Sequence, residues 1–175
     1  MIAIYLRNLV KVLGVGAAFA SIPLFASLAS LQPPWPPAIG FVSAALVLLG
    51  ALAIWEWTRR SKIRFRRRAI AAAVATTLIS LLAYLILYSF FVESQPGTTL
   101  RVIRGYECTA TALLVYKEQC PDLPREALAG AEWESVKLWT RSSVTIVRIS
   151  LAAAWLLFTA GLIMAVGAII AGRKY

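Results

Sequence analysis

The chain has 175 residues, 60% of them hydrophobic, with 18 Lys and Arg against 8 Asp and Glu and a formal net charge of +10. Only 15% are charged, well below the roughly one quarter of a soluble domain, and the apolar surplus lies in long uncharged runs. There is no His and a single Asp, Asp122, which excludes His-based triads, His metal sites and most general-base arrangements.

A bilayer core of roughly 30 Å is crossed by about 20 helical residues. Four windows reach that length, residues 12–31, 38–58, 69–92 and 149–172, and Glu56 is the only charged residue inside any of them. Membrane strands would be half as long and would alternate in polarity. The sequence therefore reads as an all-α membrane protein, with four transmembrane helices and a small, mostly helical extracytoplasmic cap between the third and fourth. Its parts are residues 1–92, holding three helices and a basic connection at 59–68, the cap at 93–148, and the fourth helix with a short tail at 149–175.

The first window follows Arg7 and Lys11 and has the outline of a signal peptide, but its apolar run exceeds the 7–15 residues typical of a signal core. It is read as a retained span. Gly16 and Ala20 stand four residues apart in it, the spacing that lets a second helix backbone come close. Pro23 should kink it. "QPPWPP" is too rich in proline to be helical and is read as a tight turn into the second span.

The second connection, "RRSKIRFRRR", carries Arg59, Arg60, Lys62, Arg64, Arg66, Arg67 and Arg68 without an acid among them. Short loops rich in Lys and Arg remain cytoplasmic, so this one sets the topology. Both termini fall inside, and "QPPWPP" and residues 93–148 fall outside. On that reading the inner face holds eleven basic residues against Glu56, and the outer face seven basic against seven acidic. The inner run should contact anionic headgroups, at about 1 kcal/mol per charge. Phe65 alone does not supply the interleaved aromatics of a nucleic-acid surface, so no nucleic-acid partner is expected. Glu56 is placed to pair with Arg59 and Arg60 on the next helical turn. Trp155 and Tyr84 fall inside apolar windows and should pack against neighbouring helices.

In the cap, "TTLRVIRGY" alternates as a short strand does. "CTATALLVYKEQ" has helical composition up to Pro121. "PDLPREALAGAEW" suggests a helix capped by Asp122, Val136 and Trp139 sit at helical spacing, and Ser142 or Ser143 could cap the last span. Cys108 and Cys120 both lie here, where an oxidising compartment favours a bond. One unbroken helix would hold their Cα atoms about 18 Å apart, beyond the roughly 7 Å limit. The segment must bend, or the thiols are free. The last span repeats the small-residue spacing at Gly161 and Ala165, suited to packing within one bundle or between copies. No cofactor, metal or catalytic residue is assigned.

Four helices with both ends inside and outer cysteines resemble the quinone-coupled disulfide oxidases in topology and length. That family carries its Cys-x-x-Cys pair in the first outer loop, which here reads "QPPWPP", so its redox chemistry is not implied. A second resemblance rests on "PPWPPAIGFVSAALVLLGALAIWEW", the basic connection and a cap ending "LWTRSSV". It is to small multi-helix membrane proteins of bacterial antiviral loci, and it implies an oligomeric pore-forming or membrane-disrupting effector in the bacterial inner membrane. The chain has no soluble nucleotide-sensing domain of the kind better-known members carry. The alternative reading is an accessory or scaffold subunit, or an immunity protein, that binds another membrane protein through the cap. An enzyme is not expected.

Overall fold

The computed structural model describes residues 32–58, 63–98 and 100–172, with isolated positions before residue 31. The first span, with Gly16, Ala20 and Pro23, is outside these residues, as are Arg59, Arg60 and Lys62. The described chain is mostly helical: α1 (Ile39–Thr58), α2 (Ile63–Phe91), α3 (Ala110–Tyr116), α4 (Arg125–Gly130), α5 (Ser135–Leu138) and α6 (Arg141–Gly172). Strands β1 (Val92–Ser94) and β2 (Arg101–Ile103) pair antiparallel, Val92 opposite Ile103 and Ser94 opposite Arg101. Two of the helices, α2 and α6, are long and apolar enough to cross a membrane, and α1 is apolar from Ile39 to Ile54.

Both long helices start earlier than their uncharged windows. With no Gly or Pro between residues 63 and 69, nothing interrupts the arginines, which are good helix formers. Arg64, Arg66, Arg67 and Arg68 thus occupy the first turns of α2 rather than a loop. At α6 the helix begins at Arg141, eight residues before the expected 149. Thr140 is its cap in place of Ser142 or Ser143, its hydroxyl accepting from Ser143 N–H at 3.4 Å. Residues 141–148, read from the sequence as the end of the cap, are thus continuous with the last helix.

The chain divides into two compact units, Met1–Ala83 with Ala154–Tyr175, and Tyr84–Ala153, the division falling within α2 and within α6. In the first unit the inward stripes mix hydroxyls with small and branched apolar side chains. Ser43, Val47 and Ala51 of α1, Ala73 and Ser80 of α2, and Thr159 and Ile163 of α6 are buried. Many large apolar side chains face outward, among them Phe41 and Leu49 on α1, Leu78, Ile79 and Leu82 on α2, and Leu157 and Met164 on α6.

The buried hydroxyls return to their own helices: Ser43 donates to Ile39 O at 2.7 Å, Thr77 to Ala73 O at 2.8 Å, Ser80 to Thr76 O at 2.6 Å and Thr159 to Leu156 O at 2.9 Å. These four hydroxyl donors then need no water.

Helices meet where side chains vanish. A Cβ on Gly161 would stand 2.9 Å from the Thr77 nitrogen and 3.2 Å from the Ala73 carbonyl oxygen, so Gly161 is the contact of α6 with α2. Gly167 lies against Ile54 and Ala51, and Gly50 against Ile163, which forms a cluster with Val47 and Ala51. Ala165 is also buried. Trp155, 3% exposed, donates its indole N–H to Ser43 Oγ at 2.9 Å. Tyr84 is buried too.

Candidate functional site

The second unit holds most of the polar geometry. α2 ends at Phe91, and the chain passes directly into β1; Arg104 N–H then donates to Phe91 O at 2.8 Å. The hairpin turns through Pro96 and Gly97, where φ is +77°, a conformation that suits glycine. Arg101 on β2 stands over the Tyr88 ring, 5.8 Å from its centroid, a cation–π distance.

Glu93 on β1 faces two arginines. Arg104 donates to Oε2 at 2.8 Å and Arg125, at the start of α4, to Oε1. Glu93 and Arg104 are largely covered, at 15% and 18% side-chain exposure, so this pair is held in a drier setting than a surface bridge. The Nε of Arg104 and that of Arg148 are buried without a hydrogen-bond partner. The hairpin and α4 are therefore locked together by one carboxylate that the sequence pattern did not single out. Its only cue was position, as the first acid after the third window.

The entry to α6 is stitched to the segment before α3. Cys108 and Trp139 form an antiparallel bridge, with Thr109 N–H donating to Leu138 O and Thr140 N–H to Glu107 O, both at 2.9 Å. Trp139 is completely buried, and its indole donates to Pro121 O at 3.1 Å. Gly105 makes room for it: a Cβ there would lie 2.6 Å from Trp139 Cβ and would collide with the Ser143 hydroxyl. Trp139 is extended, not helical, so its expected alliance with Val136 on one helical face is corrected; Val136 is exposed. Asp122 is likewise no cap, since α4 starts after Pro124.

The two cysteines come together. Thr109 caps α3 by accepting from Ala112 N–H at 3.3 Å. The helix ends at Tyr116 and the chain turns through residues 117–119, so the unbroken helix that would part the thiols does not form. Cys108 and Cys120 pair at disulfide distance, Cα to Cα 6.4 Å. Within the same unit Phe90, Phe91, Arg104, Tyr106, Pro121 and Asp122 line an open cavity of about 230 Å³.

After α4, Glu132 and Trp133 both adopt left-handed backbone, φ 56° and 61°. Trp133 N–H donates to Leu128 O at 2.9 Å, the bond pattern that ends a helix. Lys137 donates to Glu132 at 2.6 Å. That hydrogen bond holds the Glu132 carboxyl below its ordinary value and raises Lys137; both side chains are exposed, so screening by water keeps the pair weak.

Of the residues singled out from sequence, the structure thus brings Cys108 to Cys120, sets Gly161 against α2, buries Ala165 and places four arginines on the first turns of α2. Among the described residues no three His, Cys, Asp or Glu side chains converge as a metal site. No family profile matches this chain, and no curated protein or solved structure matches it.

Proposed function

We propose that this chain is a non-catalytic, multi-pass membrane protein with four spans, both termini cytoplasmic and the segment after α2 on the outer face of a bacterial inner membrane. In it, the chain acts as an oligomeric, membrane-disrupting effector. The observation that carries the membrane part is the apolar outer face of each helix of the first unit, with hydroxyls kept on the inner one. Ser43, Ser80 and Thr159 are buried while Phe41, Ile79 and Leu82 face outward, the arrangement favoured when the surrounding solvent is hydrocarbon.

The assembly part rests on α2, whose apolar window is only 17% buried within the chain. Its face of Leu78, Leu82, Leu85 and Ile86 is left for lipid or for another copy. The small-residue contact at Gly161 is already used between α6 and α2, so assembly would proceed through α2 and not through that seam. Several copies are needed, because helices about 8–10 Å apart fill the centre of a single bundle with side chains. The basic first turns of α2 would hold the inner headgroups.

The test is purified protein in dye-loaded vesicles, with oligomeric state read by cross-linking. Leakage that rises with oligomer supports the effector. A silent monomer, harmless when its expression is induced in cells, would replace it with the accessory or immunity reading.

A further inference from the structure

We propose that the loop closed by Cys108 and Cys120 is an interfacial anchor, inserting Leu113, Leu114 and Val115 into the lipid leaflet at the outer end of α2. The inference rests on the reading that α2 spans a bilayer with its C-terminal end outward.

The loop is built to present an apolar tip. α3 has seven residues, none charged, and buries only Ala112. Its next three side chains stand 43%, 87% and 71% exposed. Charge returns only at Lys117 and Glu118. The cross-link and the hydrogen bonds at Thr109 secure both roots of the loop, so the tip is held out by a fixed base and is not a frayed end.

Its depth follows from the cavity wall. Pro121 and Asp122, next to Cys120, line the same cavity as Phe90 and Phe91, the last residues of α2. The uncharged run of α2 ends there, so the loop leaves the protein at the level where hydrocarbon gives way to headgroups. A seven-residue helix is about 10 Å long, and the headgroup layer on each side is about 5–8 Å deep, so the tip is within reach of acyl chains. Tyr106, exposed on the cavity wall, and Tyr116, the last residue of α3, bracket the tip with the ring type that prefers this level.

Lipid, not protein, fits the patch. A stable protein interface uses roughly 20–30 residues a side, whereas three adjacent side chains suffice to seat a loop whose protein is already held in the membrane. There is no Lys or Arg from residue 105 to 116, so the contact is apolar and independent of headgroup charge, in contrast to the basic start of α2.

The test uses the full chain in phosphatidylcholine vesicles containing a phosphatidylcholine with a photoactivatable acyl chain, and maps labelled peptides by mass spectrometry. Label is expected on residues 110–116 as well as on the exposed flank of α2 at Ile79 and Phe90, beside the face offered for assembly. It should be unchanged when anionic lipid is added. Combining Leu114→Glu with Val115→Glu should lower loop labelling severalfold while α2 labelling stays constant, with resistance of Cys108 and Cys120 to alkylation as the check that the loop is still closed. Labelled α2 with an unlabelled loop overturns the anchor alone, as does a loop that cross-links to a second copy instead of lipid or that is labelled equally in the double variant. An unlabelled α2 overturns the membrane reading, and the anchor with it.

Discussion

The indole N–H of Trp155 on α6 donates to the Ser43 hydroxyl on α1 at 2.9 Å, joining residues 112 positions apart in a fully buried setting. Ser43 in turn donates its own hydroxyl hydrogen bond to Ile39 O, so the Ser43 hydroxyl both accepts and donates. Ser43→Ala strands the indole donor. A hydrogen bond between membrane helices averages about 0.6 kcal/mol and reaches about 1.7, so a loss near 1 kcal/mol is expected in a detergent unfolding titration. Trp155→Phe removes the donor but also indole contacts and should cost more. A double-variant cycle isolates the bond; a coupling of zero would show that Trp155 acts by packing alone.

Gly161→Leu should prevent α6 from reaching α2, because even a Cβ meets the Thr77 backbone. Overpacking typically costs about 1–3 kcal/mol, and backbone on the far side leaves little room to adjust. Loss of folded monomer is the expected readout, by size-exclusion chromatography in detergent. If the variant were a normal monomer that failed only to oligomerise, Gly161 would be a subunit contact instead.

Protein purified without reductant is expected to keep Cys108 and Cys120 blocked to alkylation until it is reduced. Replacing both by Ser should cost about 2–4 kcal/mol, the usual range for a short closed loop. Free thiols in the native protein would leave the proximity of the pair without a bond.

Glu93→Gln leaves Arg104 largely covered and without its carboxylate, and frees Arg125. Breaking a covered pair from one side costs about 3–5 kcal/mol when burial is complete; with partial exposure, about half of that is expected. Accelerated proteolysis between Ser94 and Arg125 would report it. Lys137→Met, which removes an exposed pair, should leave the same digestion pattern unchanged.

Reporter fusions after Ser61 and at the C-terminus are expected to read cytoplasmic, and a fusion near Gln95 to read outside. Changing Arg66, Arg67 and Arg68 to Gln should weaken that orientation by shrinking the positive bias. A cytoplasmic signal at Gln95 in the unaltered chain would overturn the topology.

The sequence by itself determined where the apolar helices α1, α2 and α6 lie, because hydropathy over 20 residues depends on composition and not on neighbours. It also placed Trp155 and Tyr84 among helices and marked the strand at Arg101. The ends of elements were less legible. Nothing in residues 63–68 or 141–148 signals a start or stop, so α2 is already helical at Ile63 and α6 runs back to its cap at Thr140.

Only the tertiary structure decided the partners. The pairing of Cys108 with Cys120 depends on where α3 stops. Trp139 leaves the helical face that its spacing suggested because Gly105 opens a slot for it and Pro121 offers a carbonyl. Glu93 chooses two arginines 11 and 32 residues away, and Gly161 sets α6 against Thr77 and Ala73 of α2. These are contacts between segments far apart in sequence, and no local pattern encodes which of several compatible neighbours each segment meets.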